Sequence, residues 1–342
     1  MTAVLRAGVI GLGMMGRHHA RVLRALDGVE LVGVADELGD RHGAAGGARV
    51  VPSVDDLIAL GIDIAVVAVP TALHEAIGTR LAAAGVHALI EKPVAMDTAA
   101  AGRLVDAFDR AGLVGAVGHI ERYNPALQAL RRRLDAGELG NVFQIATRRQ
   151  GPFPARIADV GVVKDLATHD IDATAWIAQS PFAHIGALAC TKSGRAHEDL
   201  VTVTGRLADG TVTSHLVNWL SPFKERLLIV TGERGAFVAD TLSADLTFHE
   251  NGTVRTEWAQ VQAFRGVAEG ASTRFAIAKR EPLVVEHEAF RDAVLGRSAD
   301  IVTLAEGMRT VAVAEAVLAS SDTGETVRLA TTQHGSTPGA AA

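Results

Sequence analysis

Residues 162–176 read VVKDLATHDIDATAW, which places three carboxylates and a histidine in otherwise apolar sequence. At about 100° per residue, a helix stacks Asp165, His169, Asp172 and Trp176 within roughly 60° of one another. Leu166, Ala173 and Ile177 flank that stripe on one side, Ile171 and Ala175 flank it on the other, and Asp170 and Thr174 point away. An amphipathic helix normally carries its charge opposite the apolar face. Unpartnered carboxylates and imidazoles are costly to bury, so the stripe is expected to line a cleft, where such groups support acid–base or metal chemistry. For a metal, Asp165, His169 and Asp172 have suitable spacing, but no further His/Glu cluster stands nearby, and no metal is assigned. The plain alternative is a helix N-terminus with Asp165 near the cap and an i,i+4 pair to His169.

A second set of residues suits a dinucleotide. VIGLGMMG supplies Gly11, Gly13 and Gly16 in G-x-G-x-x-G spacing, between an expected strand and a helix expected from about Met15 to Leu26. In that context the helix N-terminus can hold a pyrophosphate. Asp36 ends the second strand, where a carboxylate accepts hydrogen bonds from ribose hydroxyls and repels a 2′-phosphate. NAD is therefore expected over NADP, with Arg41 close enough to keep NADP as the less favoured alternative. Ligands of open parallel sheets sit beyond the carboxyl ends of the strands. Pro70, Thr71 and His74 follow the fourth strand, and Glu91, Lys92 and Pro93 end the fifth. Lysine at such an edge is unusual; its plain reading is a rim charge.

The elements that must position these groups follow from hydrophobic pattern. Over the first 120 or so residues, short β-branched runs alternate with helical periodicity, which predicts a doubly wound parallel sheet, an α/β Rossmann domain. Ser53 is expected to cap a helix over VDDLIAL. After Gly140 the rhythm changes to one strand over NVFQIATRRQ, the helix carrying the stripe, and about six strands from Ala183 to Trp258. Helices return at 286–296 and 303–320. This predicts an α+β domain with a large open, mostly antiparallel sheet. The expected division is 1–121, 122–330 and a disordered tail over 331–342.

Composition excludes several classes. The chain has 342 residues, 48% apolar and 21% charged, with a net charge of −6. That balance supports neither nucleic-acid binding nor a basic membrane surface, and no apolar run reaches membrane-span length. Cys190 is the only cysteine, so no intrachain disulfide or cysteine-based zinc site can form. No signal-peptide organisation precedes the first strand, and a cytoplasmic protein is expected.

GVIGLGMMGRHHARVL, VPTALHEA, EKPVA and DLATHDID together resemble the Gfo/Idh/MocA oxidoreductases over roughly residues 4–330. The resemblance implies a Rossmann domain binding NAD through Gly11, Gly13, Met14, Met15, Gly16, Asp36, Pro70, Thr71, His74, Glu91 and Lys92. It implies a second domain that binds substrate and builds a homodimer or homotetramer, and a catalytic centre of Lys92, Asp165 and His169. In that centre His169 suits the role of base and Lys92 stabilises a developing alkoxide, with exchange of those roles open. Asp165 is expected to orient the His169 imidazole. VGHIERYNPA, RQGPFPARIADVGVVKDLATHDID and EPLVVEHEAF further resemble UDP-N-acetylglucosamine 3-dehydrogenases of that family. They imply a sugar-nucleotide site with Arg122, Tyr123, Asn124, Arg149, Arg156 and Asp172, in which arginine forks suit a diphosphate. An inositol or free-sugar dehydrogenase is the alternative. NAD-dependent glycoside hydrolysis and a non-catalytic nucleotide-bound regulator are alternatives of another class.

Overall fold

The computed structural model describes residues 4–153, 160–252 and 270–330. The alternation in the first third builds a six-stranded parallel sheet from β1 (Leu5–Ile10), β2 (Val29–Ala35), β3 (Arg49–Val51), β4 (Ile64–Val67), β5 (His87–Glu91) and β6 (Gly115–Gly118). Their order is β3-β2-β1-β4-β5-β6, the doubly wound arrangement. Helices α1 (Met14–Ala25), α2 (Val54–Ile58), α3 (His74–Ala83) and α4 (Thr98–Ala111) make the crossovers. Local chemistry sets their ends: the Ser53 hydroxyl accepts from Asp56 N–H and starts α2, and Asp97 caps α4 in the same way. Gly112, at φ 63°, closes α4 in the left-handed conformation.

After α5 (Pro125–Asp135) the chain enters a nine-stranded sheet. It comprises β7 (Val142–Pro152), β8 (Phe182–Cys190), β9 (Leu200–Leu207), β10 (Val212–Asn218), β11 (Leu220–Gly232), β12 (Gly235–Asp240), β13 (Asp245–Glu250), β14 (Ser272–Arg274) and β15 (Val327–Arg328). The order is β14-β13-β12-β11-β7-β10-β9-β8-β15, antiparallel throughout except between β7 and β10. The expected mostly antiparallel sheet is thus present. Trp258, Arg156 and the 331–342 tail lie outside the described residues.

α5 packs on β12 and β13, and of three further helices two pack on this sheet while the middle one packs on α1. α6 (Thr168–Ala178) is preceded by a π-helical turn over Val163–Ala167. α7 (Pro282–Val294) and α8 (Leu304–Thr323) follow the strands. α8 starts with a capping box in which Thr303 and Glu306 satisfy each other's backbone N–H groups. Phe290 of α7 packs among Leu23, Val34 and Leu89 of the parallel-sheet unit. Val302, Leu304 and Val311 pack with Leu104, Phe108 and Val117. The end of the chain therefore returns to the core of its beginning, and each large side chain buried there contributes about 1.5–3 kcal/mol. This packing fixes the carboxyl edge of the parallel sheet against α6.

Candidate active site

The Gly-rich turn leaves β1 at Ile10. Gly11 sits at φ 87°, and a Cβ there would stand 2.6 Å from the Ala68 carbonyl oxygen. A Cβ on Gly16 would fall 1.8 Å from Gly11 O, so both positions require glycine. A Cβ on Gly13 meets nothing within 4 Å, so the backbone there lies open to close approach. α1 begins at this point with no side-chain cap and no acidic residue in its first turn. Its free N–H groups and positive dipole end suit a pyrophosphate. Met14 is largely exposed and Met15 half-buried beside that opening. Asp36 is held at the end of β2 by two amides, Leu12 N–H to Oδ2 (2.7 Å) and Leu38 N–H to Oδ1 (2.8 Å). Each oxygen keeps a lone pair for a ribose hydroxyl. These residues fit a bound NAD.

At the neighbouring strand ends, Pro70 is exposed and Thr71 half-buried, whereas His74 is buried. Its Nδ1 lies 2.9 Å from Pro93 O and its Nε2 2.9 Å from Val69 O. His74 ties the loops after β4 and β5 together; these strands are neighbours, and both ring nitrogens are used in doing so. It thereby holds the two loops that border the expected cofactor site. Glu91 likewise faces inward. Its Oε1 pairs with His19 Nε2 at 2.9 Å and its Oε2 accepts Lys92 N–H at 3.1 Å. Burial opposes the charge on Glu91, but the His19 hydrogen bond and charge outweigh it and hold the pKa below the ordinary value. On its other side His19 Nδ1 lies 2.8 Å from His287 Nε2, so the two rings share one proton along that line.

Lys92 and Pro93 are joined by a cis peptide bond. Lys92 Nζ reaches across to the start of α6 and donates to Asp165 O (2.7 Å) and Asp165 Oδ1 (3.0 Å). The carboxylate therefore holds the lysine. His169, expected to be its partner, has Nδ1 buried without a hydrogen bond, while Nε2 stays open. The physical reason is the π turn. Thr168 N–H bonds back to Val163 O, five residues earlier, and this widened turn moves Asp165 out of α-helical register with His169. Burial, then the charges of Lys92 and Arg149, hold His169 well below its ordinary pKa. It is neutral at pH 7, with a basic Nε2 when the ring proton is on Nδ1.

The rest of the stripe behaves differently from expectation. Asp172 is buried and accepts both side-on N–H groups of Arg122, Nε at 2.8 Å and Nη2 at 2.7 Å. Trp176 packs in the core with Leu130 and Phe237. Asp172 and Trp176 border a cavity of about 690 Å³ between α6 and α8 that neither Lys92 nor His169 lines. Asp170 and Thr174, expected to point away, are buried as well. α6 is enclosed between the sheet and α8, so it has no solvent face, and each charge on it needs an internal partner.

Those partners are the arginines expected at a diphosphate. Arg122 is spanned by Asp172 and Glu306, and Arg149 by Asp170 (2.9 Å) and Glu121 (2.8 Å). Asn124 caps α5 through its Oδ1 and donates Nδ2–H to Thr241 O. The Tyr123 hydroxyl donates to Asp300 O at 3.3 Å, and burial raises its pKa. All four make hydrogen bonds within the protein; Arg156 lies outside the described residues. Sequence reasoning missed His19, His119, His287, Glu286 and Arg226. The double histidine at 18–19 was the available signal for one of them, and nothing in local sequence marked the others.

Residues 5–119 match the Gfo/Idh/MocA family model described as an oxidoreductase family with an NAD-binding Rossmann fold. Residues 127–238 match the C-terminal domain of the same family. A UDP-N-acetylglucosamine 3-dehydrogenase of Acidithiobacillus ferrooxidans is 33% identical over 318 residues, 91% of this chain and 95% of that protein. Its solved structure superposes with a TM-score of 0.83, covering 93% and 98% of the two chains at 30% identity. Inositol 2-dehydrogenase 2 of Saccharopolyspora erythraea is 31% identical over 340 residues, 94% of each chain. With both halves matched, and a lysine, an aspartate and a histidine converging where the two sheets meet, the chain belongs to the Gfo/Idh/MocA family of NAD-binding oxidoreductases.

Proposed function

We propose that the protein is an NAD-dependent dehydrogenase of a secondary sugar hydroxyl, with the 3-hydroxyl of UDP-N-acetylglucosamine or a related UDP-sugar as its substrate. The observation that carries the chemistry is the grip of Asp165 on Lys92 at the carboxyl edge of β5, near enough to His169 for the lysine's charge to lower the imidazole's pKa. The nucleotide-sugar assignment is supported by the relative named for that substrate, 33% identical over 91% of this chain. In this reading residues 1–121 hold the cofactor and 122–330 the substrate. Leu188 and Val212, exposed on the uncovered sheet face, support association into a homo-oligomer.

Bound NAD supplies the acceptor for hydride from the carbinol carbon. The chain's own residues manage the proton and the charge. His169 Nε2 accepts the hydroxyl proton, for which its neutral state at pH 7 suits it. Lys92 Nζ donates to the same oxygen as charge develops there. Asp165 keeps Nζ in place through two acceptors, so little reorganisation accompanies the reaction. Glu91, fixed by His19, sets the backbone from which Lys92 projects.

The test is NADH fluorescence after mixing the protein with NAD and UDP-N-acetylglucosamine, with myo-inositol in a parallel cell. A burst or steady rise with the sugar nucleotide alone is expected. A rise only with inositol would place the protein with the polyol dehydrogenases, and silence in both cells would reject both substrates. Cleavage of the sugar from UDP, with neither oxidised sugar nor net NADH, would point to a transient redox step, as in NAD-dependent glycoside hydrolysis.

A further inference from the structure

Lys92, Arg122, Arg149 and Arg226 are cations whose charge is directed at α6 and the turn before it. Three are committed to carboxylates: Lys92 to Asp165, Arg122 to Asp172 and Glu306, and Arg149 to Asp170 and Glu121. Arg226 differs. It lies on β11 directly opposite Arg149 of β7, so both guanidinium groups leave the same face of the sheet, toward α6. Its Nη1 donates to two carbonyl oxygens, Gln150 O and Glu225 O, each at 3.3 Å. Among the described residues nothing accepts from its Nε or Nη2, and neither atom is sealed from solvent.

The Nε–Nη2 edge is the one with which a guanidinium grips a carboxylate or phosphate side-on. Arg122 uses that same edge on Asp172. Two guanidinium groups directly opposite on neighbouring strands repel, and Arg226 is also half-buried. Burial and the charge of Arg149 both lower its basicity, as expected of a desolvated cation beside another cation. An arriving oxyanion would relieve both costs. Arg226 also acts on the reacting centre: its charge is among those that hold His169 neutral, and it feels the charge of Asp165.

We infer that the Nε–Nη2 edge of Arg226 is the oxyanion receptor of the substrate pocket, gripping a diphosphate or carboxylate of a sugar nucleotide while His169 and Lys92 address the hydroxyl. This rests on the dehydrogenase reading above and replaces the clamp expected from Arg122 and Arg149. It names a binding residue that makes no contact with hydride or proton, so its loss acts on affinity.

The experiment is calorimetric titration of the NADH-loaded protein and its Arg226→Gln and Arg226→Lys variants with UDP-N-acetylglucosamine, UDP-N-acetylglucosaminuronate and myo-inositol. Arg226→Gln is expected to weaken an anionic ligand about ten- to a hundredfold, the scale of a charge-assisted pair. Arg226→Lys, which keeps charge but loses the fork, falls between, and the NADH affinity of both variants stays at the wild-type value. Loss for both nucleotides identifies the diphosphate as the gripped group; loss for the uronate alone identifies the carboxylate. A merely structural arginine would weaken NADH or inositol binding as well, and that outcome overturns the inference. If wild type binds both nucleotides and Arg226→Gln binds them equally well, the inference fails while the dehydrogenase reading stands. If wild type binds neither nucleotide, both fall.

Discussion

At the scale of single residues, the division of labour between Lys92 and His169 rests on which group holds which. Asp165 grips Lys92 Nζ, and His169 keeps an open Nε2 with its basicity depressed. Lys92→Ala and His169→Ala are each expected to lower kcat by about a hundredfold or more, the scale of one acid–base group. NAD affinity should stay near wild type in both, because neither side chain supports the pyrophosphate end; retained turnover in both would refute the site. The base must be neutral to accept a proton. Since its pKa lies below the ordinary 6.5, the acidic limb of the kcat profile should fall below pH 6.5. A limb at or above that pH in the wild type, lost in a His169 variant, would contradict this reading. At the cofactor end, Asp36→Ala should weaken NAD about tenfold, as two ribose hydrogen bonds are lost, and should narrow the preference against NADP. Unchanged NAD affinity in a fluorescence titration would remove Asp36 from the cofactor site.

At the scale of elements, α6 explains why charge sits in an apolar segment. The helix is enclosed, and its aspartates are matched one by one to cations from the first residues after β6, from β5 and from β7. Breaking such a pair strands a buried charge. Arg122→Met is therefore expected to cost about 3–5 kcal/mol, read as a lower denaturation midpoint, because Asp172 and Glu306 lose their shared partner. Adding Asp172→Leu should recover part of that loss. If the double variant is no better than the single, the ion pair is not the reason Arg122 is needed. The spacing of Asp165, His169, Asp172 and Trp176 was legible in the sequence as a stripe, and its first half does reach the reacting centre. The π turn was not legible, since nothing in VKDLA distinguishes an i→i+5 turn from an α-helical one. That single local difference redirects Asp165 from the imidazole to the lysine.

At the scale of the whole molecule, α7 returns to the parallel sheet and seals titratable groups behind the site. Both carboxyl oxygens of Glu286 are buried without partners, and burial, then the nearby charge of Glu91, raise its pKa well above 4.5. The folded protein keeps that proton while the unfolded chain releases it above pH 4.5. Stability due to this group therefore falls as pH rises from 4.5 toward the folded-state value. Glu286→Gln, which keeps the shape without the proton, should gain on wild type in thermal melts as pH rises from 5 to 8. A constant offset between the two would mean that Glu286 is ionised. His119, His169 and His287, all with lowered pKa, work in the other direction. Their stabilisation is complete above the ordinary 6.5 and is lost as pH falls toward their folded-state values. Two opposed trends should leave a stability maximum between them.

What the sequence determined by itself is whatever depends on neighbours along the chain. The glycine turn of β1, the alternation that makes the parallel sheet, the caps at Ser53 and Asp97, and the chemical types gathered at EKP and DLATHDID all belong to this class. Only the tertiary structure decided which charges are spent and which are open. Arg122, Arg149 and Arg226 are alike as letters, yet among the described residues two meet carboxylates from other elements and the third does not. The reason is distance along the chain: Arg122 lies 50 residues from Asp172 and Arg149 lies 21 from Asp170, so their pairing is set by packing, which no local pattern encodes.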